Sequence, residues 1–130
     1  MMAFTQNEKI FQPGFEKDNT SINGCVGFYG AYDIHSAFKK KTFHKPRAKL
    51  LKLVFGGTPD KLTNLYENLS PFHWSARNLP PCMLIQGESD SFISLNETKE
   101  MHKKIFAESN VDQVFLKVPL VEHAFDILGV

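Results

Sequence analysis

Two side chains in the second half of the sequence, Asp90 and His123, have the types and the placement that acid–base chemistry requires. Asp90 follows an apolar run of strand length by a few residues, and His123 follows a later alternating run in the same way. Because ligands and catalytic groups gather beyond the carboxyl ends of parallel strands, both side chains are expected in one crevice. A carboxylate beside an imidazole fixes the ring tautomer and stabilises the imidazolium, as in the orienting half of a nucleophilic triad.

Three segments are typical of strands, and the connections between them are long enough for the crossovers that parallel strands need. The strand candidates are residues 22–32, 82–85 and 113–118, and the last of these alternates apolar residues on one face. The order strand, helical excursion, strand, helix, strand predicts the α/β class with about three parallel strands.

Helices are predicted over residues 48–55 and 59–68, and over about 14 residues that begin at the capping box Ser94-x-x-Glu97. Thr58-Pro59 is typical of a helix start, with Thr58 as the N-cap. The apolar stripe of the last helix is predicted to contain four residues at helical spacing: Leu95, Thr98, Met101 and Ile105.

Composition places the chain among globular proteins and argues against several function classes. The chain has 130 residues, of which 42 % are hydrophobic and 22 % charged, which is close to the globular average. A net charge of +1 argues against a nucleic-acid partner. No apolar run reaches the roughly 18 residues of a membrane span, and no signal peptide is visible.

The two cysteines, Cys25 and Cys82, lie in apolar runs and form neither a disulfide framework nor a metal-site spacing. No histidine has metal-ligand spacing to a second His, Cys or carboxylate, so we expect no metal and no other cofactor. Free thiols and the lack of a visible signal peptide favour a cytoplasmic location.

The chain resembles the α/β-hydrolase superfamily, and in particular its esterase/lipase branch, over nearly all of its length. Four segments carry the resemblance: residues 27–33, 69–71, 80–90 and 122–126. In that family a strand ending in Gly-x-x-Asp delivers the acid, which maps onto Asp90. A Glu-His-Ala-Phe type of motif after the last strand delivers the base, which maps onto His123. The resemblance implies a serine carboxylic-ester hydrolase with a small-molecule ester substrate.

The sequence departs from this family because it lacks the Gly-x-Ser-x-Gly elbow that carries the nucleophile upstream of the acid. The expectation is a partial, C-terminal α/β-hydrolase domain over residues 1–130 whose serine lies outside the chain. Residues 34–79 fall where the family inserts a helical cap. Six apolar residues are candidates either for an acyl pocket or for ordinary packing between cap and sheet: Phe38, Phe43, Leu53, Phe55, Phe72 and Trp74.

Two residues within the chain are weaker candidates for the nucleophile. Cys25 precedes Asp90 and His123, which is the order of a cysteine triad, but its surroundings lack the first elbow glycine. Ser89 follows a strand, but it directly precedes Asp90 and no helix begins at once after it.

Three functions stay open at this point. The first is a serine esterase, and the second is a prolyl-peptidase-like hydrolase, which shares the acid and histidine motifs. The third is a catalytically inactive remnant that acts by binding, since loss of a nucleophile removes most of the rate. An unaccompanied first strand would also expose an apolar edge, which predicts self-association.

Overall fold

A three-stranded parallel sheet in the order β1–β2–β3 organises the chain. The computed structural model describes residues 1–39, 45–74 and 79–128. The strands are β1 (Cys25–Phe28), β2 (Cys82–Gly87) and β3 (Gln113–Val118). The predicted α/β class and the three parallel strands are therefore confirmed. Strand β1 is shorter than predicted at both ends, and it stops at Phe28 because Tyr29, with a φ of 37°, leaves the extended conformation.

Helices make both crossover connections. Between β1 and β2 lie α1 (Ile34–Lys39), α2 (Lys45–Phe55) and α3 (Thr63–Asn68), and between β2 and β3 lies α4 (Leu95–Glu108). A short α5 (Phe125–Leu128) follows β3. Single 3₁₀ turns occupy Met2–Phe4, Lys9–Phe11 and Pro71–Trp74. In the described part of the chain, no helix has the length and apolar character needed to cross a membrane.

The predicted start of α3 is wrong. The backbone carbonyl of Thr58 accepts hydrogen bonds from the N–H groups of Lys61 and Leu62, both at 3.0 Å, so this segment is a turn. The Thr63 hydroxyl then donates to the carbonyl of Pro59 at 2.8 Å. Because backbone groups satisfy each other here, Thr58 is not the N-cap, and the helix begins four residues later than Pro59.

Helix α4 covers one face of the sheet, and it does so with the predicted stripe. Thr98, Met101 and Ile105 are fully buried, and Leu95 is half-buried. The helix begins after Ser94 as predicted, although the Ser94 side chain makes no capping hydrogen bond. The core on this face joins residues of the N-terminal turn, of the loop after β1, of β2 and of α4: Ala3, Phe4, Tyr32, Cys82, Leu84, Met101 and Ile105.

The opposite face of the sheet is apolar and exposed. Its rows, read from the strand register, are Val26–Met83–Val114 and Phe28–Ile85–Leu116. The side chains on β1 and β3 are exposed, whereas Ile85 on the central strand is buried. We call these six residues the outer sheet face. The apolar alternation of β3 is thus real, but it is directed away from the core that α4 covers.

The helical segment between β1 and β2 leaves the sheet and returns to nearly the same place. The N–H of Ile34, at the start of α1, donates to the Ser70 hydroxyl at 3.0 Å. The N–H of Phe72 donates to the carbonyl of Tyr32 at 2.9 Å. Both ends of this excursion are therefore tied together beside the sheet.

The candidates for an acyl pocket pack in separate places. Phe38 and Phe55 pack edge-on against Tyr66, with ring centroids 5.9 and 5.0 Å away. Trp74 packs against Phe11, with 5.4 Å between ring centroids. Of the remaining three candidates, Phe72 lies under the ammonium of Lys104 and Leu53 is exposed, whereas Phe43 falls outside the described residues. These contacts are those of ordinary packing.

The outer sheet face and the outer position of β1 predict self-association of the chain. Exposed apolar strand edges pair readily, and a charge on such a strand opposes pairing. We expect the chain to sediment as species larger than its 14.8 kDa monomer. Val26→Lys should shift this distribution toward the monomer.

Phe106→Lys is the matched control because Phe106 is an exposed apolar residue of α4, outside the outer sheet face. It should leave the sedimentation profile unchanged. A wild-type chain that sediments as a monomer and unfolds cooperatively would contradict the prediction.

Candidate active site

The carboxylate of Asp90 is held by the backbone of its own turn. Asp90 comes three residues after β2 ends, and its side chain is fully buried. Its Oδ1 accepts hydrogen bonds from the N–H groups of Phe92 and Ile93, both at 2.8 Å. Aspartate side chains commonly bond to backbone groups two or three residues ahead, which makes this turn a local consequence of the sequence.

The second oxygen of Asp90 joins the sheet to the histidine. Its Oδ2 accepts from Gln86 Nε2 at 2.6 Å and lies 2.9 Å from His123 Nδ1. Gln86 also donates to the carbonyl of Ile93 at 3.1 Å and accepts from the Thr98 hydroxyl at 2.9 Å. Because Gln86 is on β2 and Thr98 is on α4, the acid is oriented by the sheet and its covering helix together.

His123 is placed for proton transfer. If Nδ1 donates to Asp90, Nε2 carries the lone pair and is the basic atom of the ring. The His123 side chain is 30 % exposed, whereas that of Asp90 is fully buried. The rings of Tyr29 and Phe92 pack against the imidazole, with centroids 4.5 and 5.0 Å away. The arrangement can therefore accept a proton at Nε2 of a partly exposed ring and stabilise the resulting charge.

Two contacts fix the loop of His123 against the end of β2. A Cβ on Gly87 would lie only 2.5 Å from the carbonyl oxygen of Val121, so a side chain there would force the loops apart. The Glu122 carboxylate accepts from both the N–H and the hydroxyl of Ser91, each at 3.0 Å. The acid turn and the histidine loop are thus attached to each other beyond the Asp90–His123 contact.

The structure separates Cys25 from the site. Cys25 is the first residue of β1, so it lies at the amino end of the sheet, whereas Asp90 and His123 follow the carboxyl ends of their strands. A four-residue strand puts about 10 Å between these ends. Both cysteines are free thiols, and burial raises the pKa of Cys82. A cysteine nucleophile for this acid and histidine is therefore wrong on geometric grounds.

Ser89 lies in the same turn as Asp90 and is exposed. Its backbone N–H donates to the carbonyl of Val121 at 3.1 Å, which attaches the turn to the histidine loop. Within the described residues, no hydrogen bond joins its hydroxyl to His123. Among those residues there is also no cluster of three His, Cys, Asp or Glu side chains that could hold a metal ion.

The sequence predicted that Asp90 and His123 lie together. It did not predict that Gln86, Tyr29 and Glu122 contact them or the loops that hold them. Gln86 had a detectable signal, because an amide inside a buried apolar strand must find hydrogen-bond partners. The partners of Tyr29 and Glu122 lie far away in the chain, and no local pattern identifies them.

Comparison with known proteins gives the family. Residues 1–105, which include Asp90 but end before His123, match the family model BD-FAE. The chain belongs to the BD-FAE family. A curated relative of this BD-FAE chain in Mycobacterium tuberculosis, named "Probable carboxylic ester hydrolase LipM", is 29 % identical over 131 residues. The match covers 99 % of this chain and 30 % of that protein, so the chain spans less than a third of the relative's length.

Solved structures similar to this BD-FAE chain have the α/β-hydrolase fold. A puromycin-hydrolyzing peptidase of Mycobacterium tuberculosis superposes with a TM-score of 0.65 at 18 % identity, over 79 % of this chain and 15 % of the other. The thermophilic esterase Est2 of Thermogutta terrifontis gives a TM-score of 0.59 at 14 % identity, over 84 % and 36 %. At these identities the likeness is one of fold, and it confirms the α/β-hydrolase architecture.

The buried Gln86 amide predicts a measurable coupling with Thr98. Gln86→Leu keeps the approximate volume but removes one partner each from the Thr98 hydroxyl, the Ile93 carbonyl and Asp90 Oδ2. An unsatisfied buried polar group costs about 1–3 kcal/mol, and a charged one costs more. We therefore expect Gln86→Leu to lower the free energy of unfolding by about 2–4 kcal/mol, measured by urea denaturation.

Thr98→Val in the Gln86→Leu background removes the orphaned hydroxyl and should recover part of the loss. The double variant should therefore be more stable than the sum of the two single effects implies. Strict additivity of the two substitutions would argue against the Gln86–Thr98 bond.

Proposed function

We propose that this chain supplies the acid and the histidine of a Ser–Asp–His triad in a carboxylic-ester hydrolase. The observation that carries the proposal is the 2.9 Å contact between His123 Nδ1 and the buried Oδ2 of Asp90. The contact lies beyond the carboxyl ends of parallel strands, where α/β sheets build their sites. Family membership and the esterase relative support the same reaction class.

Each residue has a defined part in this reaction. A serine outside the chain attacks the ester carbonyl, and His123 Nε2 accepts the proton of its hydroxyl. Asp90 holds the tautomer with hydrogen on Nδ1 and stabilises the imidazolium that forms. His123 then returns the proton to the leaving alcohol, and a water molecule repeats the sequence to release the acid. These proposed steps require no cofactor.

The helical segment 34–79 is proposed to be a cap over the substrate. Its two ends are tied together beside the sheet by the Ile34–Ser70 and Phe72–Tyr32 bonds. An insertion anchored in this way leaves the strand order β1–β2–β3 undisturbed. The aromatic packing around Tyr66 gives the segment an interior of its own.

Two alternative functions have support from particular observations. The exposed outer sheet face favours a binding remnant that pairs with another protein surface. The likeness to a puromycin-hydrolyzing peptidase favours an amide-cleaving hydrolase, since amide and ester hydrolysis use the same acid and base. A parallel assay with an ester and the matching amide distinguishes an ester-cleaving from an amide-cleaving hydrolase.

The test begins with the coding DNA directly upstream of the Met1 codon. An in-frame Gly-x-Ser-x-Gly within about ten codons would supply the expected elbow. In the longer chain, hydrolysis of a p-nitrophenyl ester should fall about 10⁴-fold in both His123→Ala and Asp90→Asn. The 130-residue chain alone should give no turnover above the uncatalysed background.

His102→Ala is the matched control because His102 is a half-buried histidine on α4 that packs against Phe115. It should keep nearly full activity. A longer chain that hydrolyses the ester equally well without His123 would refute the proposed triad. Stop codons or unrelated DNA upstream would favour the binding remnant.

A further inference from the structure

Tyr29 has a backbone conformation that calls for a physical cause. It follows β1 with a φ of 37°, in the left-handed region that residues with a side chain rarely adopt. Its N–H still donates to the carbonyl of Ile85 at 2.8 Å, so the residue stays attached to β2. Strained residues persist where surrounding contacts hold them, and they concentrate at functional sites.

The side chain of Tyr29 is held by the segment that contains His123. Its hydroxyl donates to Asp126 Oδ1 at 2.9 Å, across 97 residues of sequence. Its ring lies 4.5 Å from the His123 ring and 6.0 Å from that of Phe125, between centroids. One residue at the end of β1 thus contacts three of the four residues from His123 to Asp126.

His123 needs lateral support that its loop does not supply. Its side chain is partly exposed, and the loop has left-handed residues on both sides of it, Leu120 with a φ of 61° and Ala124 with a φ of 59°. The hydrogen bond to Asp90 restrains one atom of a ring that can also turn about the side-chain bonds of His123. The Phe92 ring packs against the imidazole, and the Tyr29 ring, which is tied at its far end, adds a second contact that opposes this turning.

We propose that Tyr29 and Asp126 form a positioning pair that holds the His123 imidazole with Nδ1 toward Asp90 and Nε2 toward the substrate side. The Tyr29 ring supplies the contact with the imidazole, and Asp126 anchors the phenol. Tyr29 is a positioning residue because it acts through His123. Its consequence for catalysis rests on the proposed function, but the orientation of the imidazole is measurable without any substrate.

The surroundings of the Tyr29–Asp126 pair keep the Tyr29 hydroxyl protonated, so it remains a hydrogen-bond donor. The hydrogen bond to Asp126 is the largest cause that raises the pKa of Tyr29, followed by desolvation and by the negative charge of Asp126. The phenol is therefore protonated at neutral pH, and its hydrogen bond persists throughout the working range of a histidine base. Within the described residues, Asp90 bonds to the imidazole, and the carboxylate of the adjacent Glu122 accepts a hydrogen bond from the N–H of Ser91.

The test measures the tautomer of His123 by nitrogen NMR of the imidazole, with the signals assigned by comparison with a His123→Asn variant. Tyr29→Phe removes one hydroxyl and keeps the ring. We expect the ratio of Nδ1–H to Nε2–H tautomer to fall about 2- to 10-fold, the range that one hydrogen bond supports. Asp126→Ala should produce a similar fall, and the double variant should be no worse than either single variant.

Two controls separate positioning from general destabilisation. Asp126→Asn keeps an oxygen that can accept from the phenol, so it should retain most of the wild-type tautomer ratio. Tyr66→Phe deletes the same atom elsewhere, where the hydroxyl donates to the carbonyl of Gly57 at 3.0 Å, and should leave His123 unchanged. An unchanged tautomer ratio in Tyr29→Phe, or equal changes in Tyr66→Phe, would overturn the proposal.

A second measurement works at micromolar concentrations, where self-association is weakest. For the wild type, and again for Asp126→Ala, the tyrosinate absorbance is measured with and without the additional Tyr29→Phe substitution. The difference gives the titration of Tyr29 alone. Asp126→Ala should lower the pKa of Tyr29 toward its ordinary value, and an unchanged pKa would overturn the pairing. Neither measurement requires hydrolysis, so an inactive longer chain would refute the proposed function and leave this inference standing.

Discussion

The buried carboxylate of Asp90 is the constraint on which the site depends. A carboxylate removed from water must be fully hydrogen-bonded, since an unpaired buried charge is very costly. Its four N–H partners come from its own turn, from Gln86 on β2 and from the histidine loop. Through the Gln86–Thr98 bond the network extends into α4. The sheet, its covering helix and the two loops therefore share one set of hydrogen bonds.

The elements that were predictable are those whose periodicity reflects direct packing. The stripe of α4 was predicted because Thr98, Met101 and Ile105 face the core at helical spacing. The start of α3 was not, because the Thr58 carbonyl closes a backbone turn that side-chain preferences do not reveal. The alternation of β3 identified the strand without identifying which face is covered. The periodicity of a strand shows that its two faces differ in polarity. Which of these faces a helix covers depends on where the helices lie.

The residues of the site likewise divide into those that the sequence predicts and those that it does not. Asp90 and His123 were predictable because parallel strands bring their carboxyl ends to one edge, and because short motifs mark both positions. The Tyr29–Asp126 bond was not predictable because it joins residues 97 positions apart through a backbone that leaves the allowed strand region. The role of Gly87 was hidden as well, since the close approach of the Val121 carbonyl is a property of two loops in three dimensions.

The strand register also orders the assembly of the sheet. Cys82 pairs with Cys25 on one side and with Gln113 on the other, and the second pairing closes the shorter stretch of chain. Shorter loops close with less loss of entropy, and topologies with local contacts form faster. We therefore expect the β2–α4–β3 unit to form ahead of the pairing with β1. Since Asp90 follows β2 and His123 follows β3, these two side chains would meet early, and Tyr29 would arrive later with β1. During synthesis β1 is made before β2 but would pair after β3, so the backbone N–H and C=O groups on its β2-facing edge would lack strand partners through that interval.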